Sequence, residues 1–453
     1  MGLLPRSPAR RLRAAGGGLR VGDHAGLFER YRAVLPSWIA PLYAEPIAID
    51  RGDGGYVYDL EGGRYLDFFG GVLTTMIGHS HPDVVAAVQA QAAKVMHTST
   101  LYLSEPMIAL AEEIASVSGI PNAKVFFTTS GTEANDTALL LASTFRRSNQ
   151  ILAMRNSYHG RSFSAMAVTG HGSWRASSSS GLQVSFVHGG YRLRSPFRDL
   201  DDAGYTEACR EDLVQVLDMT TGGDVACLIA EPIQGVGGFA TPPDGFFGAL
   251  TKELDNRGIL FISDEVQTGW GRTGEHFWGY QAHGVTPDML TFAKGVGNGV
   301  ALAGVVARAE VMDCLSAVSF STFGGNPLSV AGGHATLRHV LENDLQGNAK
   351  LMGRRLADGI AEAADGADWI AEVRGRGLML AIEIVHAGGL EPDGARTGAF
   401  LESCREHGLL VGKGGLYGNV IRIAPMLNVN ETEIDEGIAA INGAIAHVSN
   451  QAD

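Results

Sequence analysis

With 453 residues, 45% of them hydrophobic and 61 of them glycine, the chain is too long for one small core and has the composition of an α/β protein of two or three structural units. Its net charge of −14 argues against a nucleic acid or an anionic membrane as the main partner. The four cysteines are far apart and form no C-x-x-C pair, so neither a disulfide framework nor a structural zinc site is expected.

The N-terminal sequence, MGLLPRSPARRLRAAGGGLR, is rich in arginine and contains no acidic residue. We expect residues 1–36 to be a disordered basic leader of a cytoplasmic protein. A mitochondrial presequence has a similar composition, so the mitochondrial matrix stays open as the alternative. No apolar run approaches the length of a membrane span, and no membrane partner is expected.

Three blocks follow the leader. Residues 37–80 are expected to form the N-terminal segment of a small domain, and within them 41–70 alternate apolar and polar positions around glycine-rich turns, which predicts an antiparallel meander. Over 81–335, strand-like runs alternate with helical stretches, which predicts crossover connections and a mostly parallel sheet flanked by helices, the large domain. Residues 336–453 mix helices and strands, as expected for a smaller α+β unit.

Five successive strands of the middle block end in polar or glycine-rich sequence. AKVFFTT runs into SGTEAN, NQILAMRN into SYHGR, DVACLIA into EPIQG, GILFIS into DEVQTG, and DMLTFA into KG. Ligands of an open parallel sheet bind outside the carboxyl ends of its strands, so these strand ends predict one shared site. Its candidate residues are Ser130, Gly131, Thr132, Tyr158, His159, Glu231, Asp264 and Lys294.

The turn at the first strand end can hold a phosphate. Ser130, Gly131 and Thr132 precede a helix and offer free backbone N–H groups, a helix dipole and two hydroxyls. The same residues are also ordinary helix N-caps, and the turn alone does not separate the two interpretations. Neither a nucleotide P-loop nor a dinucleotide-binding glycine fingerprint is present in the expected context.

Lys294 and Asp264 indicate which cofactor the predicted site binds. A lysine partly withdrawn from water becomes a nucleophilic amine suited to a Schiff base, although an ordinary lysine extends to solvent. A carboxylate at the end of a buried strand is costly unless it holds a cation. A phosphate cradle, an imine-forming lysine and an aspartate for a ring nitrogen together meet the requirements of pyridoxal 5′-phosphate (PLP). Tyr158 would cover one face of the pyridine ring and Val266 the other, and Gln267 would reach the phenolic oxygen.

The motifs SGTEAN, SYHGR, AEPIQG, ISDEVQTGWGRTG, FAKG and STFGGNP, in this order, resemble the class III aminotransferases of PLP fold type I, and the resemblance runs from about 37 to 445. It implies a large domain with a mostly parallel, seven-stranded sheet and a small α+β domain built from both termini. It implies that Lys294 forms the Schiff base and that Asp264 pairs with the pyridine nitrogen. It places Gly131 and Thr132 at the phosphate, Tyr158 on the ring and Gln267 at the phenolic oxygen.

The resemblance also implies an assembly. Thr322, in STFGGNP, would reach the phosphate of the neighbouring subunit, so a homodimer with shared active sites is expected, with a tetramer as an open extension. The chain departs from the family at Asp136, where a glutamate is frequent, and we expect this change to be harmless. Many relatives that act on ornithine or 4-aminobutyrate have a glutamate that masks an arginine, whereas this chain has Val236.

The expected substrates are a small amino acid and a small 2-oxo acid. Arg422, in NVIRIAP, is the candidate for binding a substrate carboxylate through its two-donor fork, with a surface salt bridge as the alternative. GGVLTTMIGHSHP and MHTSTLYLSEPM are similar to the alanine–glyoxylate branch. We therefore expect ping-pong transfer from an alanine-type donor to glyoxylate or pyruvate. The alternatives are an ω-amino acid aminotransferase acting on 4-aminobutyrate, β-alanine or ornithine, and an aminomutase or racemase on the same fold.

Overall fold

The computed structural model describes residues 24–450. The helices are α1 (His24–Val34), α2 (Gly70–Leu73), α3 (Pro82–Ala92), α4 (Glu105–Val117), α5 (Gly131–Arg146), α6 (Phe163–Ala167), α7 (Asp202–Thr220), α8 (Phe246–Asp255), α9 (Ala309–Met312), α10 (Pro327–Glu342), α11 (Leu345–Ala364), α12 (Gly394–Glu406) and α13 (Glu431–Asn450). The strands are β1 (Ile49–Asp53), β2 (Tyr56–Asp59), β3 (Arg64–Asp67), β4 (Ala123–Thr128), β5 (Gln150–Met154), β6 (Gln183–Val187), β7 (Cys227–Ala230), β8 (Leu260–Asp264), β9 (Met289–Phe292), β10 (Ala303–Arg308), β11 (Ile370–Arg376), β12 (Met379–Ile384), β13 (Leu409–Leu410), β14 (Gly412–Gly414) and β15 (Val420–Ile423).

A seven-stranded sheet in the order β4-β10-β9-β8-β7-β5-β6 organises the middle of the chain. Strands β8, β7, β5 and β6 pair in parallel with their neighbours, as do β8 and β9, whereas β10 runs antiparallel to both β4 and β9. The predicted α/β fold with a mostly parallel seven-stranded sheet is confirmed. Strands β4, β5, β7, β8 and β9 therefore all end at the same edge.

Both faces of this sheet are buried, because adjacent residues of a strand point to opposite sides. On one side, Ala138 of α5 shares a buried apolar cluster with Ile229 and Ile262. On the other side, Leu213 of α7 shares a second cluster with Leu228, the residue beside Ile229 on β7. Every residue of β7, β8 and β9 is buried, so a charged side chain can sit only where these strands end.

Two four-stranded sheets complete the fold. The first has the order β1-β2-β3-β13, in which the predicted antiparallel meander of the N-terminal segment takes up the C-terminal strand β13 in parallel. The second, β11-β12-β15-β14, is antiparallel. The first sheet thus joins N-terminal and C-terminal sequence. The expected division after residue 335 falls inside α10 (Pro327–Glu342), and the division into domains stays a prediction.

The expected disorder as far as residue 36 is wrong for 24–34, which form α1. The aromatic rings of Phe28 and Tyr31 stack at a centroid distance of 6.2 Å. Both, with Leu27, line an apolar pocket whose other wall includes Tyr43 and Ile47. The arginine-rich composition obscured this apolar contact. The basic sequence of 1–23 lies outside the described residues. Within 24–450, no helix combines the length and apolar character needed to cross a membrane.

Candidate active site

A cavity of about 550 Å³ lies at the carboxyl edge of the seven-stranded sheet, where five strands end. It is lined by Ser130, Gly131, Thr132, Asn135, Tyr158, His159, Gly160, Glu231, Asp264, Val266, Gln267 and Lys294. The structure therefore brings together every residue predicted for this edge from the sequence. It adds Asn135 and Gly160, and it leaves Thr322 and Arg422 outside the lining.

The turn from β4 into α5 leaves its backbone accessible to the cavity. Ser130 is the N-cap of α5, and its hydroxyl accepts a hydrogen bond from an amide of the first turn. A Cβ atom at Gly131 would lie 3.2 Å from Val266, and one at Gly160 would lie only 2.5 Å from the hydroxyl of Thr132. Glycine at these positions thus keeps open a space at a helix N-terminus that a phosphate can occupy.

Asp264 ends β8 and is held by three donors. Its Oδ2 accepts from Nδ2 of Asn135 at 2.8 Å and from Nδ1 of His159 at 2.7 Å, and its Oδ1 accepts from the Val266 amide at 3.1 Å. The hydroxyl of Thr291 donates to Oδ1 of Asn135 at 2.7 Å, which fixes the orientation of the Asn135 amide. These contacts fix the position and orientation of the buried Asp264 carboxylate.

Asn135 and Thr291 had no predicted role, although the sequence contains a signal for each. Asn135 lies one turn after Gly131 on α5, on the buried face of that helix, where a polar side chain needs a partner. Thr291 is a polar residue in the otherwise apolar strand β9 and pairs directly with Asp264 of β8.

Lys294 follows β9 and begins a 3-10 turn with the unusual backbone angle φ of +51°. Burial and the charge of Arg422 lower the pKa of Lys294 to about 8, against the opposing influence of Asp264 and Glu231. Among the described residues, no group hydrogen-bonds to its Nζ. Lys294 is therefore a half-buried amine with a pKa well below that of an ordinary lysine, so an appreciable fraction is neutral near physiological pH.

Glu231 follows β7 and is also buried. Its Oε1 accepts from the Tyr158 amide at 2.9 Å and its Oε2 from the Gly235 amide at 2.8 Å. Burial and the nearby charge of Asp264 raise the pKa of Glu231, and His159 partly offsets this effect. Glu231 thus fixes the two segments that carry Tyr158 and Gly235.

Arg422 lies on β15 of a different sheet and is buried. Its Nη1 donates to the carbonyl of Gly235 at 3.4 Å and its Nη2 to that of Lys413 at 3.1 Å. The rings of Phe69 and Phe239 lie 5.1 and 5.6 Å from its guanidinium carbon. Its buried Nε has no partner, and within residues 24–450 no carboxylate forms a salt bridge with it. Burial lowers the pKa of Arg422 to about 10.

Comparison with known proteins identifies the family. The model of the class-III aminotransferases matches residues 39–445. The chain is a class-III aminotransferase. A relative named alanine–glyoxylate aminotransferase 2 homolog 2, mitochondrial, from Arabidopsis thaliana is 38% identical over 418 residues, covering 92% of this chain and 86% of the relative.

Other similar proteins of this family carry different names. An alanine/serine racemase from Pyrococcus horikoshii is 35% identical over 430 residues, covering 92% of this chain and 90% of the relative. A solved amine transaminase from an uncultivated Pseudomonas species, in its PLP-bound form, has a TM-score of 0.85 and 29% identity, covering 91% of this chain and 98% of its own.

The cofactor of this class-III aminotransferase is PLP, and its cavity fits that group. The open space beside Thr132 suits a phosphate, and the carboxylate of Asp264 suits a protonated ring nitrogen. The Oε1 of Gln267 is buried without a hydrogen-bond partner, so it has capacity for a ligand. A Cβ at Gly235 would lie 2.0 Å from Nε2 of Gln267, so any residue larger than glycine at this position would displace the Gln267 side chain.

Thr322 lies apart from the cavity of its own aminotransferase chain. It is exposed and precedes α10, in a segment that also exposes Val318 and Phe323. Its predicted contact with a neighbouring subunit's phosphate stays a prediction.

Proposed function

We propose that this aminotransferase moves an amino group from a small α-amino acid, with alanine as the type, to a small 2-oxo acid such as glyoxylate or pyruvate. The observation that carries the proposal is the buried guanidinium of Arg422, which has an unpartnered Nε and no acidic neighbour within salt-bridge distance among the described residues. A buried cation of this kind is stabilised when an anion binds it. The α-carboxylate of a substrate is that anion.

Val236 supports the same substrate class. It occupies the position at which a glutamate would mask the arginine, and it is buried with its carbonyl accepting from the Gly415 amide at 3.0 Å. An apolar side chain cannot pair with Arg422. Arg422 therefore stays available to a carboxylate in both half-reactions, as expected when donor and acceptor are both α-carboxylates.

Bound PLP supplies the electron sink that stabilises a carbanion at the α-carbon. Asp264 holds a proton on the pyridine nitrogen, and its three donors keep the carboxylate in place. With PLP bound, the neutral Nζ of Lys294 would take the proton from the α-carbon of the donor and pass it to the cofactor carbon that receives the amino group. Arg422 orients the α-carboxylate, which fixes the direction of the C–H bond that Lys294 must reach.

A screen of donors and acceptors tests the proposal. Purified protein with PLP is assayed with alanine, β-alanine and 4-aminobutyrate, each against glyoxylate and pyruvate. We expect alanine with glyoxylate or pyruvate to give the largest kcat/KM, and Arg422→Ala to raise the KM for alanine. Higher kcat/KM for the ω-amino donors would replace this proposal with its main alternative, because Arg422 can also hold the distal carboxylate of an ω-amino acid.

A racemase is the second alternative, given the 35% identity to a relative of that name. Incubation of stoichiometric enzyme with L-alanine and no 2-oxo acid separates the two reactions. An aminotransferase releases one pyruvate per site and stops, whereas a racemase accumulates D-alanine without forming pyruvate. Sustained formation of D-alanine would contradict transamination as the main activity.

The proposed assembly is a homodimer with shared sites. Exposed apolar side chains lie on the Thr322 segment, among them Val318 and Phe323, and a second exposed group between α3 and α4 includes Leu101, Tyr102 and Leu103. Exposure of several large apolar side chains is typical of a surface that a partner covers. Light scattering after gel filtration should give twice the chain mass of 47.8 kDa. An active monomer would exclude a contribution of Thr322 from a second subunit.

A further inference from the structure

Glu383, on β12, is a fully buried carboxylate outside the cavity, and four side chains donate to it. The hydroxyl of Tyr191 lies 2.9 and 3.0 Å from its two oxygens, Nε of Arg194 lies at 3.0 Å, Nη1 of Arg374 at 2.6 Å and Nδ2 of Asn419 at 3.3 Å. Burial acts to raise the pKa of Glu383, but the charge of Arg374 and these donors hold it below its usual value. Glu383 is therefore ionised and its orientation is strongly fixed.

Arg374 connects this carboxylate to the main chain of another unit. Its Nε and Nη2 both donate to the carbonyl of Gly238, at 3.0 and 2.7 Å. Its Nη1 donates to Glu383 and to Glu372, the latter at 2.8 Å. Because Arg374 itself is almost fully enclosed, Glu383 is the buried partner that balances its charge, whereas the side chain of Glu372 is 40% exposed.

The Gly238 carbonyl ends a short segment, 235–238, that begins beside Gln267 of the cavity lining. At its other end, the Gly235 carbonyl accepts from Arg422, and the Gly235 backbone packs against Gln267. Between them, the Val236 carbonyl accepts from an amide of the β14–β15 connection. The segment thus receives donors from Arg374 at its end and from Arg422 at its start.

We propose that Glu383 and Arg374 are positioning residues for the substrate carboxylate, acting through segment 235–238 on Arg422. Glu383 fixes Arg374, Arg374 fixes the Gly238 carbonyl, and the segment then presents the Gly235 carbonyl and Val236 to Arg422. The inference rests on the proposed function, in which Arg422 binds the α-carboxylate. Neither Glu383 nor Arg374 contacts the substrate.

A purely structural role would have a different signature. If the network only stabilised the fold, its loss would affect all amines alike, or would lower the melting temperature without altering the site. A positioning role affects ligands that use Arg422 and spares those that do not. Alanine and ethylamine form a matched pair for this purpose, because ethylamine is alanine without its carboxylate.

The experiment compares Glu383→Gln with Glu372→Gln in the full chain with PLP bound. Both changes remove one charge beside Arg374 at nearly constant size, but only the first removes the buried partner. Spectral titration of bound PLP gives an apparent dissociation constant for alanine and for ethylamine, and steady-state assays give KM and kcat for alanine. Tyr191→Phe, which removes one donor to Glu383, is the milder variant if Glu383→Gln fails to fold.

For Glu383→Gln we expect about a tenfold increase in the KM and apparent dissociation constant of alanine, the equivalent of about 1.4 kcal/mol. The apparent dissociation constant of ethylamine should stay within about twofold, on the scale of an unperturbed contact. Glu372→Gln should leave both dissociation constants unchanged. Tyr191→Phe should weaken alanine binding and spare ethylamine binding, as Glu383→Gln does, but by a smaller factor. Unchanged alanine binding in Glu383→Gln, or equal weakening of alanine and ethylamine, would overturn the inference.

Arg422→Ala separates this inference from the proposal on which it rests. If Arg422→Ala weakens alanine and spares ethylamine while Glu383→Gln does neither, the positioning role fails and the proposed function stands. If Arg422→Ala weakens both ligands equally, Arg422 is not the carboxylate site and the proposed function fails with it.

Discussion

The pKa of Lys294 gives a prediction that can be measured on the protein freed of PLP. A lysine with a pKa of about 8 is neutral in about a quarter of molecules at pH 7.5, against about 0.1% for an ordinary lysine near 10.4. Uptake of PLP needs this neutral amine. The initial rate of PLP uptake, followed by the visible absorbance of the bound cofactor, should therefore rise with pH to a midpoint near 8.

Two variants should move that midpoint in opposite directions. Arg422 lowers the pKa of Lys294, so Arg422→Gln should shift the midpoint to higher pH. Glu231 raises the pKa of Lys294, so Glu231→Gln should shift the midpoint to lower pH. Arg355→Gln, at an exposed arginine, is the charge-matched control and should leave it unchanged. Lys294→Ala should abolish the signal and turnover while the fold survives. A midpoint near 10, or no shift in either variant, would refute the assignment.

Further substitutions test the other parts of the cavity. Asp264→Asn should fold and retain cofactor but lose roughly a hundredfold or more in kcat, since an uncharged group no longer holds the ring proton; near wild-type turnover would exclude this role. Thr322→Ala should weaken PLP retention by roughly ten- to hundredfold on dialysis, for one hydrogen bond to a phosphate of about 1.5–3 kcal/mol; unchanged retention would remove Thr322 from the site. Gly235→Ala should displace Gln267 and cost about 1–3 kcal/mol of stability, whereas Gly172→Ala, with open space around it, should be neutral in thermal unfolding.

The strand ends could be predicted from the sequence because the rule behind them is local. The apolar runs that end at Asp264 and Lys294 are visible in the sequence. Their ends can be placed together because parallel strands end at one edge of a sheet. The fold class followed from the same alternation of strands and helices. The resemblance to the aminotransferases added Thr322 and Arg422, which lie outside the cavity lining and which no strand-end rule selects.

The supporting contacts could not be predicted, because they depend on how distant segments pair. Thr291 reaches Asn135 only because β9 lies beside β8 in the register that sets Thr291 opposite Asp264. The partners of Glu383 come from three separate stretches of sequence, and no spacing joins them. Helix α1 was missed for another reason, since its aromatic contacts are few and its surroundings are rich in arginine.

The charges of the cavity suggest that substrate binding changes the basicity of Lys294. Arg422 lowers the pKa of Lys294 by its positive charge, and no carboxylate among residues 24–450 forms a salt bridge with Arg422. An α-carboxylate bound to Arg422 offsets that charge, so the pKa of Lys294 should rise when alanine binds, at the moment when its Nζ must take a proton. Ethylamine leaves Arg422 uncompensated. The acidic limb of the pH profile for the first half-reaction should therefore have its midpoint at higher pH with alanine than with ethylamine, measured by single-turnover absorbance. Identical midpoints would mean that the charge of Arg422 does not act on Lys294 in the loaded enzyme.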